Sequence, residues 1–264
     1  MKKQITLQSL FDIVKYIITI GGLCWFVAYN SQQLGYNWQW YMIPRHLYSI
    51  TDSGFESGPL LSGLWVTIQI SIVSFFCSFT FGLVAALLKL SSSTAGKLLS
   101  NFYVESIRNT PLLVQIFFMY FVLAPILDME AFTAAVLALS LFEGAYASEI
   151  LRAGVESVPQ GQLEAAKSLG MSTPQAYIKV ILPQALKNIL PPLTSQGASL
   201  IKDSALVSTI AIYDLTMQGQ AIIAETFLTF EIWFTVAAIY LLLTVTLSVM
   251  ANFFEHRTPA VLKN

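Results

Sequence analysis

Residues 60–88 read LLSGLWVTIQISIVSFFCSFTFGLVAALL, and no charged side chain occurs between Glu56 and Lys89. At about 1.5 Å of rise per residue, a helix of this length exceeds the roughly 30 Å of hydrocarbon in a bilayer. The rest of the composition agrees. Hydrophobic residues make up 55% of the 264 residues, charged residues only 11%, and the mean hydropathy is +0.65. Soluble domains carry about 25% charged residues, so this chain lacks the polar side chains to cover a water-facing surface. Apolar runs long enough to cross hydrocarbon as helices predict an all-α membrane protein with about six transmembrane helices.

Charges mark the other spans. Asn109 to Leu127 lies between Arg108 and Asp128, and Ile232 to Phe254 lies between Glu231 and Glu255. Ala131 to Leu151 is interrupted by Glu143 and Glu149, and a span from about Ile189 to Ile212 contains Pro191, Pro192, Lys202 and Asp203. The proline pair predicts a break or kink there, because each proline removes a helical hydrogen bond. The N-terminal run Ile13 to Tyr29 is shorter; Asp12 and Lys15 interrupt any signal-peptide pattern, and no small-x-small cleavage site precedes Asn30, so a retained helix is expected. The resulting segments are 1–30 (tail and first helix), 31–59 (outer loop), 60–255 (core) and 256–264 (tail). Lysine and arginine cluster on one side: Lys2, Lys3 and Lys15, then Lys89 and Lys97, then Arg152, Lys167, Lys179 and Lys187, then Arg257 and Lys263. By the positive-inside rule both termini are expected in the cytoplasm. The outer loop holds Tyr36, Trp38, Trp40 and Tyr41, which suits the headgroup zone. A second outer segment, 214–230, carries an amphiphilic stretch from Met217 to Phe227.

Several functions are disfavoured by composition. Net charge is −1, so no basic excess points to nucleic acid. The two histidines, His46 and His256, lack metal-ligand spacing, and Cys24 and Cys77 sit in apolar runs where small buried hydrophobes are expected. An intramembrane enzyme would need a paired nucleophile and base or a carboxylate dyad, and no G-x-S-x-G pattern is present.

The informative segment is the inner loop 153–187, AGVESVPQGQLEAAKSLGMSTPQAYIKVILPQALK. Good helix formers fill Gln160 to Leu169, Pro159 suits the helix start, and Gly170 suits a left-handed stop. Ser172 and Gln175 can form a capping box for a second helix, with Pro174 in its first turn. A helix-turn-helix for DNA is one reading, but its second helix offers only Gln175 and Lys179 among apolar residues and is pinned between spans. The mechanical reading is a projecting helix whose small Ala165 and Ala166 permit close approach by another protein, with Glu164 as an anchor. On the residues alone, a capped hairpin with no partner fits equally well.

Glu164-Ala165-Ala166, Gly170 and Val180-Ile181-Leu182-Pro183 resemble the EAA loop of bacterial ABC importer permeases, with valine at the position of the first isoleucine. Arg108 to Gln115 (RNTPLLVQ), Tyr146 to Gly154 (YASEILRAG) and Ile201 to Leu206 (IKDSAL) are similar to segments of the polar amino-acid subfamily, with Asn109 where glycine is usual. The resemblance implies a permease subunit of a type I importer in the bacterial inner membrane: a five-helix core plus one extra N-terminal helix. It implies alternating access, a second permease (identical or related), a dimer of ATP-binding subunits, a periplasmic substrate-binding protein and a polar amino acid as cargo, within membrane lipid and without nucleic acid. The coupling helix would be Gly161 to Gly170, with Gly161, Glu164, Ala165, Ala166 and Gly170 facing the ATPase. No cofactor is expected on this chain; ATP and Mg would sit on the partner, in keeping with the lack of a G-x-x-x-x-G-K-[ST] loop. Intramembrane charge is costly and marks function, so Lys202, Asp203, Glu143 and Ser199 are the pathway candidates. Lys202, if it lined the pathway, would suit an acidic or amidated substrate.

Overall fold

The computed structural model describes residues 7–33, 35–51 and 54–257. Lys2, Lys3 and Lys263 of the orientation argument, and most of the tail 256–264, lie outside those residues. The chain divides into two compact units between Tyr41 and Met42.

The first unit is built on α1 (Leu7–Gln33). Its apolar side chains, Phe11, Ile17 and Trp25 among them, are exposed, and Trp25 stacks on Tyr29 with centroids 5.5 Å apart. A helix that is apolar on every face suits a lipid-facing span. Cys24 is exposed on this helix, contrary to its expected burial.

The second unit opens with α2 (Pro44–Leu47) and an antiparallel hairpin, β1 (Tyr48–Thr51) and β2 (Gly54–Ser57), in register Tyr48↔Ser57 to Thr51↔Gly54. The hairpin is an addition to the helical expectation. Arg45 Nε donates to His46 Nε2 at 3.3 Å; partial burial, then the Arg45 charge, hold the imidazole pKa below its usual value. Gly58 is followed directly by α3 (Pro59–Leu90), which covers the uncharged run and adds one residue before it and two after.

Then come α4 (Thr94–Arg108), α5 (Leu112–Phe117), α6 (Ala124–Leu127), α7 (Ala131–Glu156), α8 (Gln160–Ser168), α9 (Thr173–Ala176), α10 (Leu182–Asp203), α11 (Leu215–Thr226) and α12 (Thr229–Arg257). Among the described residues four helices are long and apolar enough to cross a membrane: Phe11–Asn30, Pro59–Leu90, Ala131–Glu156 and Thr229–Met250. A fifth is counted if α4 and the α5–α6 stretch, bent by 104°, form one broken span. The sixth expected span corresponds to α10, which is too polar to qualify by hydropathy.

Three local differences have physical causes. The expected span Asn109–Leu127 starts only at Leu112, because the residue before Pro111 is pushed out of helical space. Gln115 staples the bend by donating from Nε2 to the carbonyls of Ile107 (2.8 Å) and Thr110 (2.9 Å). Asn109 there has φ −92° and ψ 4°, open to any residue, so no glycine is needed. Second, Pro191 and Pro192 do not break their helix: α10 runs through both. Each lacks only the N–H that would reach the carbonyl four residues back, and packing of α10 on α7 and α12 holds the helix. Third, the chain widens into π-helix at Phe118–Leu123 and Tyr177–Ile181, each ending two residues before a proline, Pro125 and Pro183. A π turn moves aside the i−4 carbonyl with which the proline ring would clash. The outer segment 214–230 forms α11, whose start is capped by Asp214 Oδ1 accepting from Met217 N–H at 2.8 Å.

The interior combines large aliphatic side chains, Ile70, Leu139 and Ile232 among them, with small and polar residues at the helix contacts, while the exterior is apolar as well. The most extensively packed pair, α3 and α7, meets through Gly82, Gly144, Ala147 and Ser148. Ser140 donates to Val136 O at 2.5 Å and reaches Ser74 O at 3.4 Å, and Tyr103 on α4 donates to Leu141 O at 2.7 Å. Small residues let backbones approach where the hydrophobic effect offers no drive between helices in lipid. Phe76, Phe102, Phe121, Phe234 and Leu242 face outward.

Candidate functional site

Two places gather the residues singled out by sequence. The first is the hairpin α8–α9. Gly170 has φ +81°, in the left-handed region that favours glycine, and completes a Schellman stop: its N–H donates to Lys167 O at 2.9 Å, and Met171 N–H donates to Ala166 O at 3.2 Å. Ser172 N–H donates to Gln175 Oε1 at 3.0 Å in the expected capping box. The helix spans Gln160–Ser168, so Gly161 lies in its first turn and Gly170 just beyond its end. Gly161, Glu164, Ala165, Lys167, Leu169 and Gly170 are exposed. Ala166 is not part of that face. It is only 3% exposed, because the helix turns it into its own hairpin, and Ala176 opposite is fully covered.

The hairpin is fastened to the membrane bundle. Leu163 and Val180 pack on Leu151, Val158, Ile181, Ala185 and Ile189. Asn188 Nδ2 donates to Ser157 Oγ at 2.7 Å, and Gln184 Nε2 reaches Gln162 Oε1 at 3.4 Å. Helical chain then continues from α9 through the π turn into α10. On α7, Glu149 pairs with Lys89 of α3 (2.6 Å) and with Arg152 (2.8 Å), tying three charges at the base of the same helices.

The second place is a cleft of about 380 Å³ between α7 and α10. Glu143, Ser199 and Asp203 all line it, together with Phe142, Tyr146 and Gln196. Glu143 is only 3% exposed. Its carboxylate accepts from Gln196 Nε2 at 2.7 Å, and its carbonyl accepts from the same amide. Asp203 lines the cleft beside Glu143. Lys202 does not join them. It is exposed, since consecutive residues at the end of α10 point about 100° apart. Pairing of Lys202 with Glu143 is therefore not what the fold provides. Arg108 stacks on Tyr146, its guanidinium 5.0 Å from the ring centroid. Gln196 was not singled out from sequence, though its spacing to Ser199 and Asp203 (i, i+3, i+7) marks one helical face. Among the described residues no group of three or more His, Cys, Asp and Glu is placed to hold a metal ion.

A lipid-facing helical bundle that buries hydroxyls, amides and carboxyls around a cleft, and carries a rigid capped hairpin at one end, has the form of a transport subunit. Comparison with known proteins gives the family. Residues 78–259 match the model of the binding-protein-dependent transport system inner membrane component. The chain is 36% identical over 198 residues to the probable glutamine ABC transporter permease protein GlnM of Bacillus subtilis, covering 75% of this chain and 92% of that protein. It is 38% identical over 201 residues to the glutamine transport system permease protein GlnP of Escherichia coli K12, again covering 75% and 92%. Among solved structures it is similar to a crystal structure of an amino acid ABC transporter with histidines, at 42% identity and TM-score 0.71, covering 75% of this chain and 94% of that one. The MetNI methionine ABC transporter shares the fold at 20% identity and TM-score 0.66. The chain belongs to this inner-membrane component family and is a permease subunit of an amino-acid ABC importer, a transport subunit rather than an enzyme. The helix α1 and the outer hairpin precede the matched region.

Proposed function

We propose that the α8–α9 hairpin is the coupling element that transmits ATPase closure to the α7–α10 cleft, and that the cleft lines an alternating-access pathway for a polar amino acid. The observation that supports this most directly is mechanical continuity. The exposed face of α8 is locked by the Schellman stop and by Leu163 to the same helical column that carries Gln196, Ser199 and Asp203. A push on α8 therefore bears on the ends of both α7 and α10, to which the hairpin is fastened, and moves them as a unit, the rigid-body switching that transporters use. In this reading Gly161, Glu164, Ala165 and Gly170 face an ATP-binding subunit, which holds the ATP and Mg. Ala166 supports the hairpin from inside. Glu143, Ser199 and Asp203 border the pathway. A second permease, identical or related, completes the pathway, and a periplasmic binding protein delivers the cargo. The subunit sits in the bacterial inner membrane with both termini cytoplasmic, as the lysine and arginine distribution favours.

Purification in mild detergent with mass spectrometry of co-purifying proteins tests the coupling. The native chain should bring down an ATP-binding subunit. Gly170→Pro should lose it, because proline cannot adopt φ +81° and lacks the N–H given to Lys167 O. Glu164→Arg alters only an exposed side chain and should cut recovery roughly tenfold, on the order of 1.4 kcal/mol, while the permease stays monodisperse. Undiminished recovery with both variants would remove the hairpin from the interface.

A further inference from the structure

The cleft between α7 and α10 is asymmetric in its chemistry. Two carboxyls, Glu143 and Asp203, face it, and no lysine or arginine is among its lining residues. The amide of Gln196 is committed: its Nε2 donates to Glu143, which leaves its buried Oε1 without a partner among the described residues. That oxygen is a third acceptor. The hydroxyls of Ser195 and Ser199 also line the space and can donate as well as accept. The guanidinium of Arg108 lies over the Tyr146 ring. Like charges brought together away from water are relieved by a cation between them, and charge-assisted hydrogen bonds are about twice as strong as neutral ones. A neutral amide side chain would leave this negative charge uncompensated, and an acidic side chain would add to it. The volume of about 380 Å³ lies within the range of small-ligand sites.

We propose that the substrate of this permease is an amino acid with a cationic side chain, an ammonium or guanidinium, seated between Glu143 and Asp203 with Gln196 Oε1 as a further acceptor. Ser195 and Ser199 are left to hydrogen-bond the α-carboxylate. Lys202, which as a pathway lining would have favoured an acidic or amidated substrate, plays no part because it does not line the cleft. The inference rests on the reading that this cleft borders the pathway.

A periplasmic binding protein would impose its own selectivity, so the test uses the permease–ATPase complex without it, in lipid nanodiscs. Calorimetric titrations compare L-arginine, L-lysine, L-glutamine and L-glutamate. The expected result is binding of arginine or lysine at least tenfold tighter than glutamine. Glu143→Gln and Asp203→Asn, which keep shape and hydrogen bonding, should each weaken the cationic ligand at least tenfold and glutamine less than threefold. Tighter binding of glutamine or glutamate, no binding of any of the four, or equal losses for all ligands in both variants overturns the proposal. The native preference alone suffices if a variant fails to assemble. Parallel uptake assays with the binding protein present separate the two readings. Uptake indifferent to both substitutions sinks the pathway reading itself, whereas uptake that responds to them while glutamine is preferred sinks only the cationic class.

Discussion

Gly82→Ala should destabilise the bundle even though alanine is the better helix former. A Cβ at Gly82 would stand 2.7 Å from Ala147 Cβ, 3.0 Å from Gly144 O and 3.1 Å from Ser148 N. Carbon atoms pack best at about 3.5–4.0 Å, so α3 and α7 must separate by roughly 1 Å. Two of the three obstacles are backbone atoms and cannot rotate away. A gap of that size forfeits a quarter to a half of each dispersion contact along the line, and overpacking of this kind costs about 1–3 kcal/mol. The severity of the overlap places the cost near about 3 kcal/mol, and the helix-propensity gain of glycine to alanine returns about 1 kcal/mol. The net loss is about 2 kcal/mol, equivalent to a fall of roughly 4–8 °C in melting temperature for a chain of this size. Fluorescence-detected size-exclusion chromatography after heating in detergent measures it. The partner substitution isolates the cause. Gly82→Ala combined with Ala147→Gly should lie at least about 1 kcal/mol above the sum of the single effects, because residues in contact couple. A single variant at or above native stability, or strict additivity in the pair, would refute the close-packing argument.

Two further outcomes use the same assay. Thr67 Oγ1 accepts from Leu215 N–H at 3.1 Å, so Thr67→Val should orphan a buried N–H at the start of α11 and cost about 1–3 kcal/mol; Thr67→Ser, which keeps the acceptor, should restore most of it, and equal melting of the two variants would contradict the role. Tyr103→Phe removes the hydroxyl that joins α4 to the Leu141 carbonyl at 2.7 Å and should cost about 0.5–1.5 kcal/mol, with no change showing the bond to be replaceable.

The sequence alone determined what depends on neighbours along the chain. An uncharged run long enough to cross lipid dictated α3, and the spacing of glycine, serine and glutamine dictated a capped hairpin with a left-handed stop, because caps and hydrocarbon length are local physics. What depends on contact between distant segments was decided only by the tertiary structure. Ala165 and Ala166 are neighbours of the same type, and only the folding of the α8–α9 hairpin on itself separates an exposed one from a buried one. Pro191 and Pro192 break a helix in isolation but not one held on two sides. Glu143 and Asp203 are sixty positions apart, and Lys202 lies next to Asp203 in sequence. Burial of a carboxyl pair and exclusion of the lysine follow from how α7 is rotated against α10, a rotation set by Gly154 admitting Ile189 across that interface. Charge along the chain showed that ionisable groups enter the membrane; only the helix faces decided that the cleft carries acceptors and no lysine or arginine.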